Sequence, residues 1–308
     1  MDDQVINWLL EGDVSIQYQV WRDLLGKEKP DLQKRILTEG WGAAFLSRRN
    51  PQGYWGQGFY QPKWISSHYS ILDIRNLCPV QDHPLLQSSI LHILKNHKSN
   101  DGGVNPGKTI QNSDVCINGM ALNYASYFQI EEVYLHSVVD FILSQLMSDG
   151  GFNCMSNRSG ASHSSLHTTL SVLEGIEEFF KNGYSYKKEA LEKVKSSSIE
   201  FILLHQFYLS DRTGEIIKKD FLKFPFPGRW KYDILRALDY FQYARIPFDS
   251  RMEKALTFLK DKQTKNGKWK INSGYPGEVH FEMEKAGKES RWNTLRAGRV
   301  MKFYEVSL

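Results

Sequence analysis

Short glycine turns, each followed by a bulky apolar residue, recur along this chain at a nearly fixed interval. They are Gln52-Gly53-Tyr54-Trp55, Asp101-Gly102-Gly103-Val104, Asp149-Gly150-Gly151-Phe152, Pro227-Gly228-Arg229-Trp230 and Asn266-Gly267-Lys268-Trp269. The first three are about 48 to 49 residues apart. The fourth comes late, and the stretch from Tyr208 to Lys223 reads as the insertion that delays it. A period in this range marks stacked supersecondary units, each unable to bury its apolar face alone. Glycine is needed where the backbone turns with positive φ. The large residue after it can plug the turn onto its neighbour.

Between the turns the apolar period is helical. Leu135, Val138, Val139, Ile142, Leu143 and Leu146 fall at i, i+3, i+4, i+7 spacing, as do Leu166, Leu170, Leu173 and Ile176. Lys188 to Phe201 reads as another helix with a solvated Lys/Glu/Ser face, and strand-like alternation is nearly absent. Each unit therefore reads as an outer helix, a glycine turn, a loop and an inner helix. The inner-helix starts align as Ser66-Ser67-His68-Tyr69, Ser113-Asp114-Val115-Cys116, Ser164-Ser165-Leu166-His167, Arg229-Trp230-Lys231-Tyr232-Asp233 and Ser290-Arg291-Trp292-Asn293-Thr294. Serine in the first three suits an N-cap. The alignment makes His68, Cys116, His167, Tyr232 and Asn293 equivalent. In a closed ring they would sit at one end of a central cavity, where helix N-termini favour an anion.

Composition narrows the class. The chain has 308 residues, 41% of them hydrophobic, and no apolar run approaches the ~18 residues of a membrane helix. Its acidic start does not resemble a secretory signal. A net charge of +4, evenly spread, does not argue for nucleic acid. Three cysteines, an odd number, argue against a disulfide framework and for a reducing, cytoplasmic setting.

The repeats resemble those of the prenyltransferase and terpene-cyclase superfamily, from about Trp41 to the C-terminus. The resemblance implies an all-α fold, an α/α toroid in one domain over 1–308, with 1–46 as an N-terminal helical extension. Terpene cyclases of the proton-initiated class use an Asp-x-Asp-Asp acid. Only Asp114 of that run is present, and Cys116 stands in the place of an acid. In the protein prenyltransferase β subunit an Asp-x-Cys pair and a His from the next repeat hold zinc. Asp114, Cys116 and His167 match those positions. A carboxylate, a thiolate and an imidazole leave a fourth position open, as a catalytic zinc requires. Lys108 resembles one of the family's diphosphate-binding basic groups, whereas Gln111 and Ile117 depart from the pattern.

The expected function is then a zinc-dependent, prenyltransferase-like enzyme that acts on an isoprenoid or other apolar small molecule, alkylating a zinc-bound thiol. The alternatives are a cyclase-like enzyme with Asp114 or Asp233 as proton donor, and a non-catalytic ligand- or protein-binding toroid. His68 and Tyr69 read as a fourth ligand or substrate contact, or as a hydrogen-bonded wall. Lys231 and Arg291 read as anion contacts, and Trp230, Tyr232 and Trp292 as the wall of an apolar pocket. The other reading is that Asp233 pairs with Arg291 or Arg296 to tie the last two repeats together. Cys78 and Cys154 lack ligand-like neighbours in sequence and read as structural.

Overall fold

The computed structural model describes residues 1–107 and 111–304, the side chain of residue 157 aside. The chain is mostly helical. The helices are α1 (Asp3–Leu10), α2 (Val14–Gln19), α3 (Pro30–Arg35), α4 (Gly40–Leu46), α5 (Ser67–Asn76), α6 (Pro84–Asn96), α7 (Val115–Tyr127), α8 (His136–Ser144), α9 (Ser156–Ser159), α10 (Leu166–Lys181), α11 (Lys188–Leu204), α12 (Ile234–Tyr243), α13 (Glu253–Asp261) and α14 (Arg291–Phe303). Among the described residues the strands are two short ones, β1 (Trp269–Lys270) and β2 (Glu289–Ser290), paired antiparallel. No helix among those residues is long and apolar enough to cross a membrane.

The chain divides into two compact units. The first comprises Met1–Arg48, Asn76–Val80 and the chain from Leu203 onward; the second comprises Arg49–Arg75 and Gln81–Ile202.

The glycine turns behave as their spacing predicts. Gly53, Gly102, Gly150 and Gly267 have φ of 95°, 85°, 89° and 73°. The fourth turn differs: the left-handed residue there is Arg229, with φ 54°, and not Gly228. The plugs share one device. Trp55, Val104, Phe152 and Trp269 are all fully buried. Their backbone N–H groups donate to inner-helix side chains: Ser67 Oγ at 3.0 Å, Asn118 Oδ1 at 2.6 Å, Thr169 Oγ1 at 3.0 Å and Thr294 Oγ1 at 3.0 Å. A buried N–H would otherwise lack a partner. Each plug thus buries its side chain, for roughly 1.5–3 kcal/mol in the aromatic cases, without stranding its amide.

In the second unit, α7 and α10 run side by side in the same direction. Gly119 faces Ser171 and Gly175 faces Gly119: a Cβ on Gly119 would lie 2.6 Å from the Ser171 carbonyl oxygen, and one on Gly175 would lie 2.4 Å from that of Gly119. Backbone therefore meets backbone. Further along, Asn123 Nδ2 donates to the Glu174 carbonyl at 2.8 Å and fixes the register. The two N-termini are thereby held at one end.

In the first unit, the N-terminal helices clasp α14. Arg291 Nε donates to Trp8 O at 2.9 Å, and its guanidinium lies over the Trp8 ring. Arg299 reaches Asp23 at 3.0 Å and Asp239 at 3.2 Å. Lys302 caps the carbonyls of Asp23 and Leu24.

Candidate functional site

The paired N-termini of α7 and α10 gather the thiol chemistry of the second unit. Asp114 is the N-cap residue of α7, yet its side chain makes no cap bond. Its carboxylate instead binds Arg158 at 2.5 Å. The N–H of Cys116, the second residue of α7, is capped by the sulfur of Cys154 at 3.1 Å. The Thr168 hydroxyl, from the first turn of α10, donates to the same sulfur at 3.5 Å and accepts from the Cys154 N–H at 3.4 Å.

One sulfur thus receives two donors, the Cys116 N–H and the Thr168 hydroxyl. Hydrogen bonds to the charged form favour it, and a helix N-terminus favours an anion. The Cys116 thiol beside it, together with the Cys116 N–H and the Thr168 hydroxyl, lowers the Cys154 thiol from its ordinary range, against the cost of its burial. The Cys116 thiol moves the other way, pushed up by the Cys154 thiol beside it and by burial. Burial raises the Asp114 carboxyl although Arg158 opposes the shift. The Lys63 ammonium, lowered by its own burial, feels the charge of Asp114.

An aromatic group packs around His68 in the same unit. The imidazole is fully buried among Phe59, Tyr60, Tyr69 and Tyr124. Its Nδ1 lies 3.3 Å from the Tyr124 hydroxyl, and its Nε2 has no hydrogen-bond partner. Burial and the Lys63 charge push its pKa down to about 3, so the ring is neutral. The Tyr60 and Tyr69 hydroxyls share a bond of 3.1 Å. Burial raises the Tyr60 phenol, and the nearby Cys116, Asp114 and Cys154 raise it further.

The sequence-predicted residues therefore divide. Asp114 and Cys116 reach the thiol cluster. His167 stands half-buried on the first turn of α10. Among the described residues no three His, Cys, Asp or Glu side chains are gathered to hold a metal ion. Of the expected set, Asp114 and Cys116 stand at the α7 N-terminus beside Arg158 and Cys154, and His167 lies on the first turn of α10. His68 and Tyr69 form the aromatic group. Lys108 lies outside the described residues. Sequence reasoning missed Cys154 and Thr168. The available signal was the repeat alignment, which brings the loop after the third turn close to the second inner-helix start.

The remaining candidates belong to the first unit. Tyr232 is buried, and its hydroxyl donates to Phe207 O at 2.6 Å. Asp233 caps α12 by accepting from Arg236 N at 2.8 Å. Lys231 lies over the Trp230 ring at 4.0 Å. Trp292 is buried and stacked between Phe226 at 4.5 Å and Trp41 at 6.0 Å. Arg291 pairs with Glu11 at 3.6 Å, and Arg296 with Asp239 at 3.3 Å.

No protein-family model matches the chain, and no curated protein matches it.

Proposed function

We propose a prenyl-transfer-like chemistry in which the Cys154 thiolate is itself the acceptor, alkylated by an apolar small molecule with an electrophilic carbon, of the isoprenoid size class. The observation that carries this reading is the double donation to the Cys154 sulfur at the joined N-termini of α7 and α10. A thiolate held in this way is a nucleophile at neutral pH. It attacks the electrophilic carbon, and an S–C bond forms as the bond to an anionic leaving group breaks. Lys63 and Arg158 supply positive charge near that anion. The Tyr60, His68 and Tyr69 group supplies apolar surface in the same unit. The resemblance to prenyltransferase-like repeats supports the substrate class, and the fixed repeat period supports helical hairpins closing into an α/α toroid.

Incubation of the full chain with a prenyl diphosphate tests the reading. Expected is covalent labelling of Cys154, mapped by peptide mass spectrometry and abolished in Cys154→Ser. A chain that binds no prenyl diphosphate and whose Cys154 alkylates no faster than Cys78 would overturn it.

A further inference from the structure

We infer that Cys116 and Cys154 form a thiol–disulfide exchange site that takes small disulfides and closes reversibly into an internal disulfide. The inference rests on the same Cys154 thiolate as the reading above and adds a second sulfur to it.

Three observations carry it. First, the Cys154 sulfur lies 3.1 Å from the backbone nitrogen of Cys116, a residue 38 positions away in sequence, and neither cysteine sits in a disulfide. Second, both cysteines are partly exposed, and Cys154 leads into a short segment in which Met155 is 46% exposed. The segment that carries Cys154 thus borders solvent. Third, the donors on Cys154 are the Cys116 N–H and the Thr168 hydroxyl, which are fixed by two packed helices. The attacking sulfur is thus held beside its partner.

The exchange balances with a low-molecular-weight disulfide as oxidant. The Cys154 thiolate attacks one sulfur of that disulfide; the new S–S bond forms as the old one breaks, and one thiolate leaves. Cys116 then gives its proton to solvent and attacks the Cys154 sulfur, releasing the second thiolate. The protein dithiol is oxidised by two electrons, and the small disulfide is reduced to two thiols. Cys78 takes no part: it lies in the other unit, where its sulfur is contacted by Arg22 at 3.9 Å.

The test uses the full-length chain and glutathione disulfide, with no apolar substrate present. Intact mass should fall by two hydrogens, with no retained glutathione. Alkylation of Cys116 and Cys154 should drop together by about tenfold while Cys78 is unchanged, and dithiothreitol should restore all three. In Cys116→Ser the mixed disulfide on Cys154 should persist. The inference is overturned if wild-type protein keeps a stable glutathione on Cys154, or if both thiols alkylate as before. The wild-type result decides the matter even where a variant folds poorly. Fast prenyl labelling without disulfide closure would refute this inference alone; closure without labelling would refute the transferase reading alone.

Discussion

Replacing Gly119 by alanine adds one methyl where α7 and α10 meet backbone to backbone. The new Cβ would lie 2.6 Å from the Ser171 carbonyl oxygen, 2.7 Å from its carbonyl carbon and 2.8 Å from Val172 Cα. None of these atoms is the end of a flexible side chain, so the helices must separate. Overpacking of this kind costs about 3 kcal/mol, the upper end of its usual range. Alanine returns about 1 kcal/mol through helix propensity. The net loss is about 2 kcal/mol, or roughly 5 °C in Tm for a unit of this size. Gly175→Ala acts on the same contact, 2.4 Å from Gly119 O, so the double variant should lose less than the sum of the two singles. Gly274→Ala is the control, because nothing lies within 4 Å of its Cβ. Urea unfolding and thermal melts measure all four variants. Cys154 alkylation should slow in Gly119→Ala, since Cys116 begins only three residues away. Equal stability of Gly119→Ala and Gly274→Ala, within about 0.5 kcal/mol, would refute the backbone contact and the positioning of the site that depends on it.

Thr168→Val removes one donor from the Cys154 sulfur, so the pH midpoint of Cys154 alkylation should rise and the rate at pH 7 should fall about threefold to tenfold. His68 is neutral in the fold, with its pKa near 3 against about 6.5 unfolded. The unfolded chain takes up the proton first, so this contribution is intact above about pH 6.5 and is lost as pH falls from there toward 3. Between pH 6.5 and 5 the loss from His68 is about 2 kcal/mol, and His68→Phe should remove that slope in urea titrations. Arg299→Met leaves Asp23 and Asp239 short of their shared cation and should cost about 3 kcal/mol or more in the first unit, read by denaturant unfolding.

Much of the local structure was legible because glycine and helix periodicity are local signals. Gly53, Gly102, Gly150 and Gly267 turn left-handed where the repeat placed them, and the residues after them are buried plugs. Gly228 breaks the pattern: the chain puts the positive φ on Arg229, a residue whose type gives no such hint. The site was only half legible. Asp114 before an apolar helix looks like a side-chain cap, but Arg158 takes its carboxylate and a sulfur from 38 residues further on takes its place. No local propensity encodes that exchange, because both partners arrive through tertiary packing. Cys154 therefore reads from sequence as structural, while the structure sets its sulfur against the first turn of α7.

The clasp between the N-terminal helices and α14 gives the chain an unequal folding schedule. Arg291 and Trp8 are 283 residues apart, and Arg299 and Asp23 are 276 apart. On a ribosome, the first helices emerge long before the helix that completes their core. The second unit, by contrast, is almost one uninterrupted stretch of sequence, and its contacts can close as it is made. Loop closure grows costlier with length, and nonlocal pairings form late. The thiol site should therefore be assembled while the first unit still waits for its last helix, and the early apolar helices are the surface a chaperone would have to cover in the meantime.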